Sequence, residues 1–353
     1  MLTLDEKKIR KGKPIGLPYQ GSKKKISKKI VEIIKQNFGT DKPIYDIFGG
    51  GGAITAECLL NGLEVHYNDL DETITSMFQK VVSEDRDYLK SLIVSRDEFL
   101  KIRDKENKTV DDNLKLLVNS FGNGRKTYLY SKELSDIKYN LAIEIIKNHD
   151  AFSGYQKTET YIKTLQKYKE QPCIKERHRV LEQLSNVQQL GNLPQLEELR
   201  VTNLHYKDFS NVENAILYLD PPYEGTTGYD KPKGARQVSP DVYKKMRQKL
   251  LKMPAGAVIE EDNIEYKLGT SSNNQNRMYV KDLQSRDNLF NSQTFYDWAY
   301  EMSKKNIVII SSYEISDSRF ECVYEFKKAK STLAAQGYGV KTEKLFMVKK
   351  GGE

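Results

Sequence analysis

The sequence predicts an α/β fold: a mostly parallel sheet that ends in an antiparallel hairpin and is interrupted by a large helical insertion. Three observations carry this. Short apolar runs rich in Ile, Val and Tyr recur at 43–48, 63–68, 215–220 and 306–312, the pattern of strands buried on both faces. The first two flank "GGGGAITAECLLNG", a glycine-rich turn followed by a short helix, which makes a strand–helix–strand unit. Between residues 83 and 199 the strand signals stop and the chain becomes polar, charged and helical.

Taken in order, residues 1–82 open a core that resumes at 200–353. The strand "PIYDIF" brings Asp46 and Phe48 to its end and feeds Gly49–Gly52, a turn that lets a ligand lie against a helix N-terminus. The strand "LEVHYN" runs into "NDLD", where Asp69 is placed to accept hydrogen bonds from ribose hydroxyls. The alternative for Asp69 or Asp71 is to cap the next helix. Residues 83–199 form the inserted helical domain. Near its end Leu181, Leu184, Val187, Leu190, Leu193, Leu196 and Leu199 recur every third residue. Such a stripe winds around an α-helix, and Gly191 and Pro194 oppose one continuous helix. The stretch reads as an ordered connector packed along the core. A second insertion at about 230–289 holds one helix, Pro240–Met253, and a Ser/Asn/Gln-rich loop, "GTSSNNQNRM". The segments "FECVYEFKKAK" and "TEKLFMVKK" read as paired antiparallel strands.

The 353 residues suffice for one large core with an insertion. The net charge of +8, from 57 basic and 49 acidic residues, suits a polyanionic partner such as nucleic acid, and suits equally a solvated surface. Three scattered cysteines, Cys58, Cys173 and Cys322, and four scattered histidines indicate neither a disulfide framework nor a metal site. No apolar leader or membrane-length segment is present, so a cytoplasmic protein is expected.

The chemistry concentrates in "ILYLDPPYEG", where an apolar strand ends in Asp220, Pro221, Pro222 and Tyr223. At average residue usage "DPPY" arises by chance in roughly one such chain in several hundred. Its parts suit an exocyclic amine of a nucleobase. That nitrogen is a poor nucleophile because its lone pair is delocalised into the ring. A carboxylate (Asp220) and a rigid backbone carbonyl (Pro221) can each accept one amino hydrogen and stabilise charge developing on nitrogen. Tyr223 offers a face for a base swung out of its stack. The bland alternative is a turn whose Asp caps the next segment.

With these residues in view, the chain resembles the Dam-type DNA adenine-N6 methyltransferases, the alpha-group amino-methyltransferases of phage and bacterial type. The resemblance is carried by "PYQGSKKK", "DIFGGGGAI", "NSFGNGRKTYLYSKEL" and "YLDPPYEGTTGY", in family order, with "FNSQTFYDWA", "IISSYEI" and the basic hairpin after them. It implies a Rossmann-like, S-adenosylmethionine-dependent methyltransferase sheet with a helical DNA target-recognition domain inserted. It implies further that Tyr19, Gly21 and Lys23 lie at the methionine end of the cofactor or beside the target base. Asp46, Phe48, Gly50 and Gly52 would form the cofactor loop, Asp69 would hold its ribose, and Asp208 in "YKDF" would bind its adenine. Asp220, Pro221, Pro222 and Tyr223 would hold the substrate adenine. Lys24, Lys25, Asn123, Arg125, Lys126, Tyr128, Lys327 and Lys328 would face double-stranded DNA, with no metal involved. The family setting is either pairing with a cognate restriction endonuclease in restriction-modification or an orphan phage enzyme, acting as a monomer on DNA.

Two departures stand out. The recognition segment lacks the "NVPFG"-like run of members that read GATC. The insertion at 230–289 replaces what is usually a passage of a few residues. The competing readings are the same chemistry on RNA, a non-catalytic DNA-binding regulator on this fold, and a dinucleotide oxidoreductase, which would leave "DPPY" without a use.

Overall fold

The computed structural model describes residues 1–18, 22–169, 181–194, 199–224, 240–254, 257–261, 264–268, 278–282, 290–330 and 342–349. Two compact units emerge. The first comprises Met1–Pro221, Ala299–Tyr313 and Ser318–Glu353; the second comprises Pro222–Trp298 and Glu314–Asp317.

In the first unit, the apolar runs become the strands β1 (Ile44–Asp46), β2 (Val65–Asn68), β4 (Ile216–Leu219) and β8 (Ile307–Ser312). A two-residue strand, β3 (Val201–Thr202), was not foreseen, because two residues carry no periodicity. The expected hairpin is β9 (Phe320–Lys330) with β10 (Thr342–Val348). The sheet order is β3-β2-β1-β4-β8-β10-β9, parallel up to β8 and antiparallel from β10 onwards. This is the Rossmann-like sheet with a C-terminal antiparallel hairpin that the sequence predicts.

Amphipathic helices cover the sheet. In α1 (Ser27–Phe38), Ile30, Val31, Ile33 and Ile34 are completely buried and pack with Ile44, Val65 and Ile216. Burying four such side chains contributes about 6–12 kcal/mol before chain entropy is counted. Helix α2 (Ala53–Leu60) starts from Gly52 in the left-handed region, at φ 67°. Helix α3 (Glu72–Ser83) is capped by Asp71, whose carboxylate accepts from the Thr73 amide. That is the capping role weighed for Asp71 from sequence.

Between residues 83 and 199 the described residues form the helices α4 (Arg86–Ser91), α5 (Arg96–Arg103), α6 (Val110–Val118), α7 (Lys132–Asn148), α8 (Glu159–Lys169) and α9 (Glu182–Leu190). Their starts are written in the sequence. Asp85 and Ser95 cap α4 and α5, and Thr109 with Asp112 forms a full capping box on α6. Helices α6, α7 and α9 share one hydrophobic cluster with α3 and β2, in which Tyr67, Met77 and Phe78 pack together with Leu114, Leu117, Leu141 and Leu184, whereas Phe99 and Ile102 of α5 pack with Leu116, Tyr128 and Tyr130 in a second cluster. The three-residue leucine spacing has a simple basis here. Helix α9 has nine residues, and Leu181, Leu184, Val187, Leu190 and Leu193 are all buried. A stripe that winds is what a short helix needs when neighbours surround it on several sides. Leu196 lies outside the described residues.

The second unit contains α10 (Pro240–Leu250) and an antiparallel sheet of β5 (Val258–Glu261), β6 (Ile264–Leu268) and β7 (Met278–Asp282), joined by a small core of Met246, Leu250, Tyr266 and Met278. The helix matches expectation; the sheet corrects it. Alternation in "IEYKL" and "MYVKD" was the available signal, masked by the polar run between them. That run, apart from Met278, lies outside the described residues. Helix α11 (Ser292–Ser303) leads into β8. Among the described residues no helix is long and apolar enough to cross a membrane.

The glycine turn yields a stability prediction. A Cβ at Gly52 would meet both a left-handed backbone and the Phe78 ring, whereas Gly62, at φ 70°, has nothing within 4 Å. Gly52→Ala should therefore cost about 3 kcal/mol in chemical unfolding, from strain plus overpacking, and Gly62→Ala about 1 kcal/mol. Equal losses at both positions would show that the Phe78 contact is not a constraint.

Candidate active site

The parallel register sets three strand ends side by side. Asp46 is level with Tyr67 on β2 and with Tyr218 on β4, and Leu219 is level with Ile310 on β8. Asp69 and Asp220 each follow two residues past those partners. All three carboxylates thus emerge along the C-terminal edge of the parallel strands, where sheets of this kind hold their ligands.

Asp46 is buried, and its Oδ2 accepts from the Thr55 amide at 3.1 Å and the Thr55 hydroxyl at 2.7 Å. Burial pushes its carboxyl up to about 7; the two Thr55 bonds oppose this, and the Asp220 and Asp69 carboxylates add to it. Among the described residues, Asp46 Oδ1 has no hydrogen-bond partner. The half-buried Asp69 accepts from the Gly50 amide and from the Asp71 amide, both at 2.8 Å. Tyr67 Oη donates to the Gly50 carbonyl at 2.6 Å, so both polar groups of Gly50 are held.

Two neighbours complete this half of the site. Asn68 is buried and donates to the carbonyls of Ile47 and Leu204 at 2.9 and 3.0 Å. Its oxygen accepts from Thr202 Oγ1 and the Leu204 amide, so one amide side chain ties together the loops after β1 and β3. The rings of Phe48 and Tyr206 lie 6.1 Å apart. Asp208, in the short turn Tyr206–Phe209, is exposed and accepts from the His205 amide at 3.0 Å.

The other half centres on Asp220. Lys23 Nζ lies 2.8 Å from Asp220 Oδ2 and 3.5 Å from Glu343 Oε1. Asp220 Oδ1 accepts from Ser311 Oγ at 2.8 Å. Burial works against the charge on Lys23, but Asp220 and Glu343 outweigh it and hold its pKa above the ordinary lysine value. Burial also pushes the Tyr218 phenol well up, with the Asp220 carboxylate acting in the same direction.

The structure therefore brings Lys23, Asp46, Gly50, Asp69 and Asp220 together in the first unit, with Phe48 and Asp208 on loops of the same edge. Pro221 closes the first unit and is buried. Pro222 and Tyr223 belong to the second unit, where both are half-buried. Tyr19 and Gly21 lie outside the described residues. Ser311, Glu343 and Asn68 were missed from sequence. All three lie in stretches singled out in the sequence, "IISSYEI", "TEKLFMVKK" and "NDLD", where no role was assigned to them.

The expected DNA-facing residues divide. Lys25 and Lys126 are exposed. Lys24 turns inward, donating to Gln189 Oε1 at 2.7 Å, and burial lowers its pKa. Asn123 and Arg125 sit in a turn with φ of 55° and 59°, where Asn123 donates to the Leu117 carbonyl and Arg125 Nη1 to Asn113 Oδ1 at 3.1 Å. Tyr128 is a correction: it is 4% exposed, its hydroxyl donates to the Val94 carbonyl, and it accepts from Gln183, so its ring serves the helical core and presents no face to a duplex. Lys327 and Lys328 lie on β9, with their side chains outside the described structure. Among the described residues no group of three or more His, Cys, Asp or Glu could hold a metal ion.

A family model, D12 class N6 adenine-specific DNA methyltransferase, matches residues 19–237. No curated protein matches the chain. The matched span runs from the segment holding Lys23, through the glycine turn and the helical insertion, to beyond "DPPY". Over that span, which exceeds half the sequence, the chain belongs to the D12 class N6 adenine-specific DNA methyltransferases: it is an enzyme that methylates adenine in DNA.

Proposed function

We propose that the enzyme transfers the methyl group of S-adenosylmethionine to the 6-amino group of an adenine swung out of duplex DNA, at a specific site, and that Asp220 is the residue acting on that amine. The observation that carries this is the seat of Asp220. Its carboxylate lies at the sheet edge, oriented by Ser311, and already accepts from a nitrogen donor, the Lys23 ammonium. An amine hydrogen makes the same kind of contact.

The residues present fit the cofactor. Asp46 has a buried carboxylate oxygen without a partner among the described residues, which suits a cationic group. Asp69, held at the end of β2 by the Gly50 and Asp71 amides, is the residue type that accepts hydrogen bonds from ribose hydroxyls. Phe48, half-buried beside Tyr206, offers an aromatic face. When bound, S-adenosylmethionine supplies an electrophilic methyl on a sulfonium. The chain does the rest. Asp220 and the Pro221 carbonyl accept the two amino hydrogens, which draws the nitrogen lone pair out of the ring and stabilises the positive charge as the N–C bond forms. Pro222, next in the chain, keeps that carbonyl rigid, and the motif's Tyr223 is the residue type on which a base swung out of its stack rests.

The turn after α6 is the proposed reader of sequence. Gly122, Asn123 and Arg125 all adopt positive φ, and the turn is closed by the Phe121 amide on the Thr127 carbonyl and the Arg125 amide on Ser120 Oγ. It carries Phe121, 56% exposed, beside Arg125 and Lys126. A rigid turn with an aromatic and two cations suits a groove lined with bases and phosphates.

Three outcomes test this reading. Asp220→Asn should lower the methyl-transfer rate by about 10²–10³ while leaving thermal unfolding near wild type, and a loss under about tenfold would remove Asp220 from the chemistry. Asp46 gives a pH signature. The folded protein keeps this proton up to about 7, whereas an ordinary aspartate releases it near 3.8, so the folded state binds more protons in that window and stability falls as pH rises through it. Asp46→Asn should flatten that fall, which is of order 4 kcal/mol, in unfolding titrations from pH 4 to 8. A cationic ligand prefers the ionised form, so cofactor affinity measured by calorimetry should rise towards pH 7 in wild type and stay flat in Asp46→Asn; parallel curves would place the cation elsewhere. Finally, Arg125→Ala should make the methylated motif degenerate at one base pair, at a cost of about 1–3 kcal/mol there, with the salt dependence of binding unchanged. A salt slope flattened by about one unit with the motif intact would mark Arg125 as a phosphate contact instead.

A further inference from the structure

The lysine that holds Asp220 has a second carboxylate within reach. Lys23 Nζ is 2.8 Å from Asp220 and 3.5 Å from Glu343, and the three side chains are largely withdrawn from water, at 8, 17 and 12% exposure. Glu343 reaches the site from β10, at a point where the ladder to β9 shifts register between Thr342 and Lys344. Irregularities of this kind re-aim a side chain beside a site. The Lys23 ammonium thus lies between two carboxylates.

An adenine amine that donates to Asp220 competes with Lys23 for that carboxylate. If the ammonium stays, Asp220 is neutralised and loses its hold on the positive charge growing at nitrogen. If the ammonium leaves without a partner, a buried cation is stranded, which is costly. We propose that Glu343 is a positioning residue for methyl transfer: it takes the Lys23 ammonium when adenine occupies Asp220, and so leaves that carboxylate anionic and available. The proposal rests on the reading of Asp220 given above. Glu343 makes and breaks no covalent bond; one N–H···O contact is exchanged for another inside the site, and the lysine stays protonated in both seats.

Single-turnover methylation of plasmid DNA with labelled S-adenosylmethionine tests it. Glu343→Gln should slow methyl transfer about tenfold or more, with cofactor affinity within about twofold of wild type, since the loss falls on the step and not on binding. Glu343→Asp, which keeps the charge, should restore the rate to within about threefold. In a Lys23→Met background the same Glu343→Gln change should be neutral or raise the rate, because with no lysine to seat, Glu343 is only a like charge beside Asp220. Wild-type rate in Glu343→Gln, or an equal loss in the Lys23→Met background, overturns the role. Asp220→Asn assayed alongside separates the two readings: a loss there with none in Glu343→Gln rejects Glu343 alone, whereas activity retained in Asp220→Asn rejects the reading of Asp220 itself. Melting curves are taken first. If Glu343→Gln melts below assay temperature, all variants are compared at a temperature below that melt, with the same expected and overturning results.

Discussion

Like charges cannot be gathered at one sheet edge without something to hold them, and that constraint organises this protein. Asp69, Asp46 and Asp220 follow three adjacent strands, β2, β1 and β4. Their fields act on one another, and buried Asp46 retains its proton far above the ordinary carboxylate range. The fold answers with fixed donors: two from Thr55, two loop amides on Asp69, and the Ser311 hydroxyl on Asp220. It sets the buried Lys23 on Asp220, and leaves Asp46 Oδ1 without a partner among the described residues. A site built this way favours a cationic ligand and positive charge developing on an amine, which is the electrostatic demand of the proposed methyl transfer.

The helical segment is tied to this edge by packing and by buried polar contacts. Tyr67 and Phe78 join the cluster that contains Leu114, Leu141 and Leu184, so the glycine turn and the helices rest on the same side chains. Within the helices Asn119 accepts from the Val94 amide and donates to the Leu92 carbonyl, and Gln183 donates to Asn119 and to Val94. Buried amides bonded to one another favour one arrangement over alternatives, and Gln183 Oε1 is the atom of this network without a partner among the described residues. This network holds the base of the turn that carries Phe121 and Arg125. Lys24, next in sequence to the lysine on Asp220, is anchored on Gln189 of α9, so a short stretch of chain links the helical segment to the Asp220 carboxylate.

Much of this was legible because the signals are local. A buried parallel strand is apolar throughout, a cap is one residue at a fixed offset, and a glycine turn shows in composition. The four apolar strands, the cap weighed for Asp71 and the carboxylates at strand ends could be placed for that reason. The failures have physical causes too. Strand β3 is too short for a period, and β5 to β7 alternate weakly around a polar run. Tyr128 lies in a motif read as an interface, yet a tyrosine whose hydroxyl finds buried partners is as much at home in a core.

The sequence by itself determined the family, the order of the strands' chemistry and the identity of the carboxylates, because those depend on residue types at fixed local spacing. Only the tertiary structure decided which cation meets which anion. Lys23, Asp220, Ser311 and Glu343 are drawn from four distant parts of the chain. Their meeting depends on the parallel register of β4 with β8, on the antiparallel return of β10, and on the register shift at Glu343. An ion pair inside a protein is fixed by distance and by burial, and neither is a property of any short stretch of sequence.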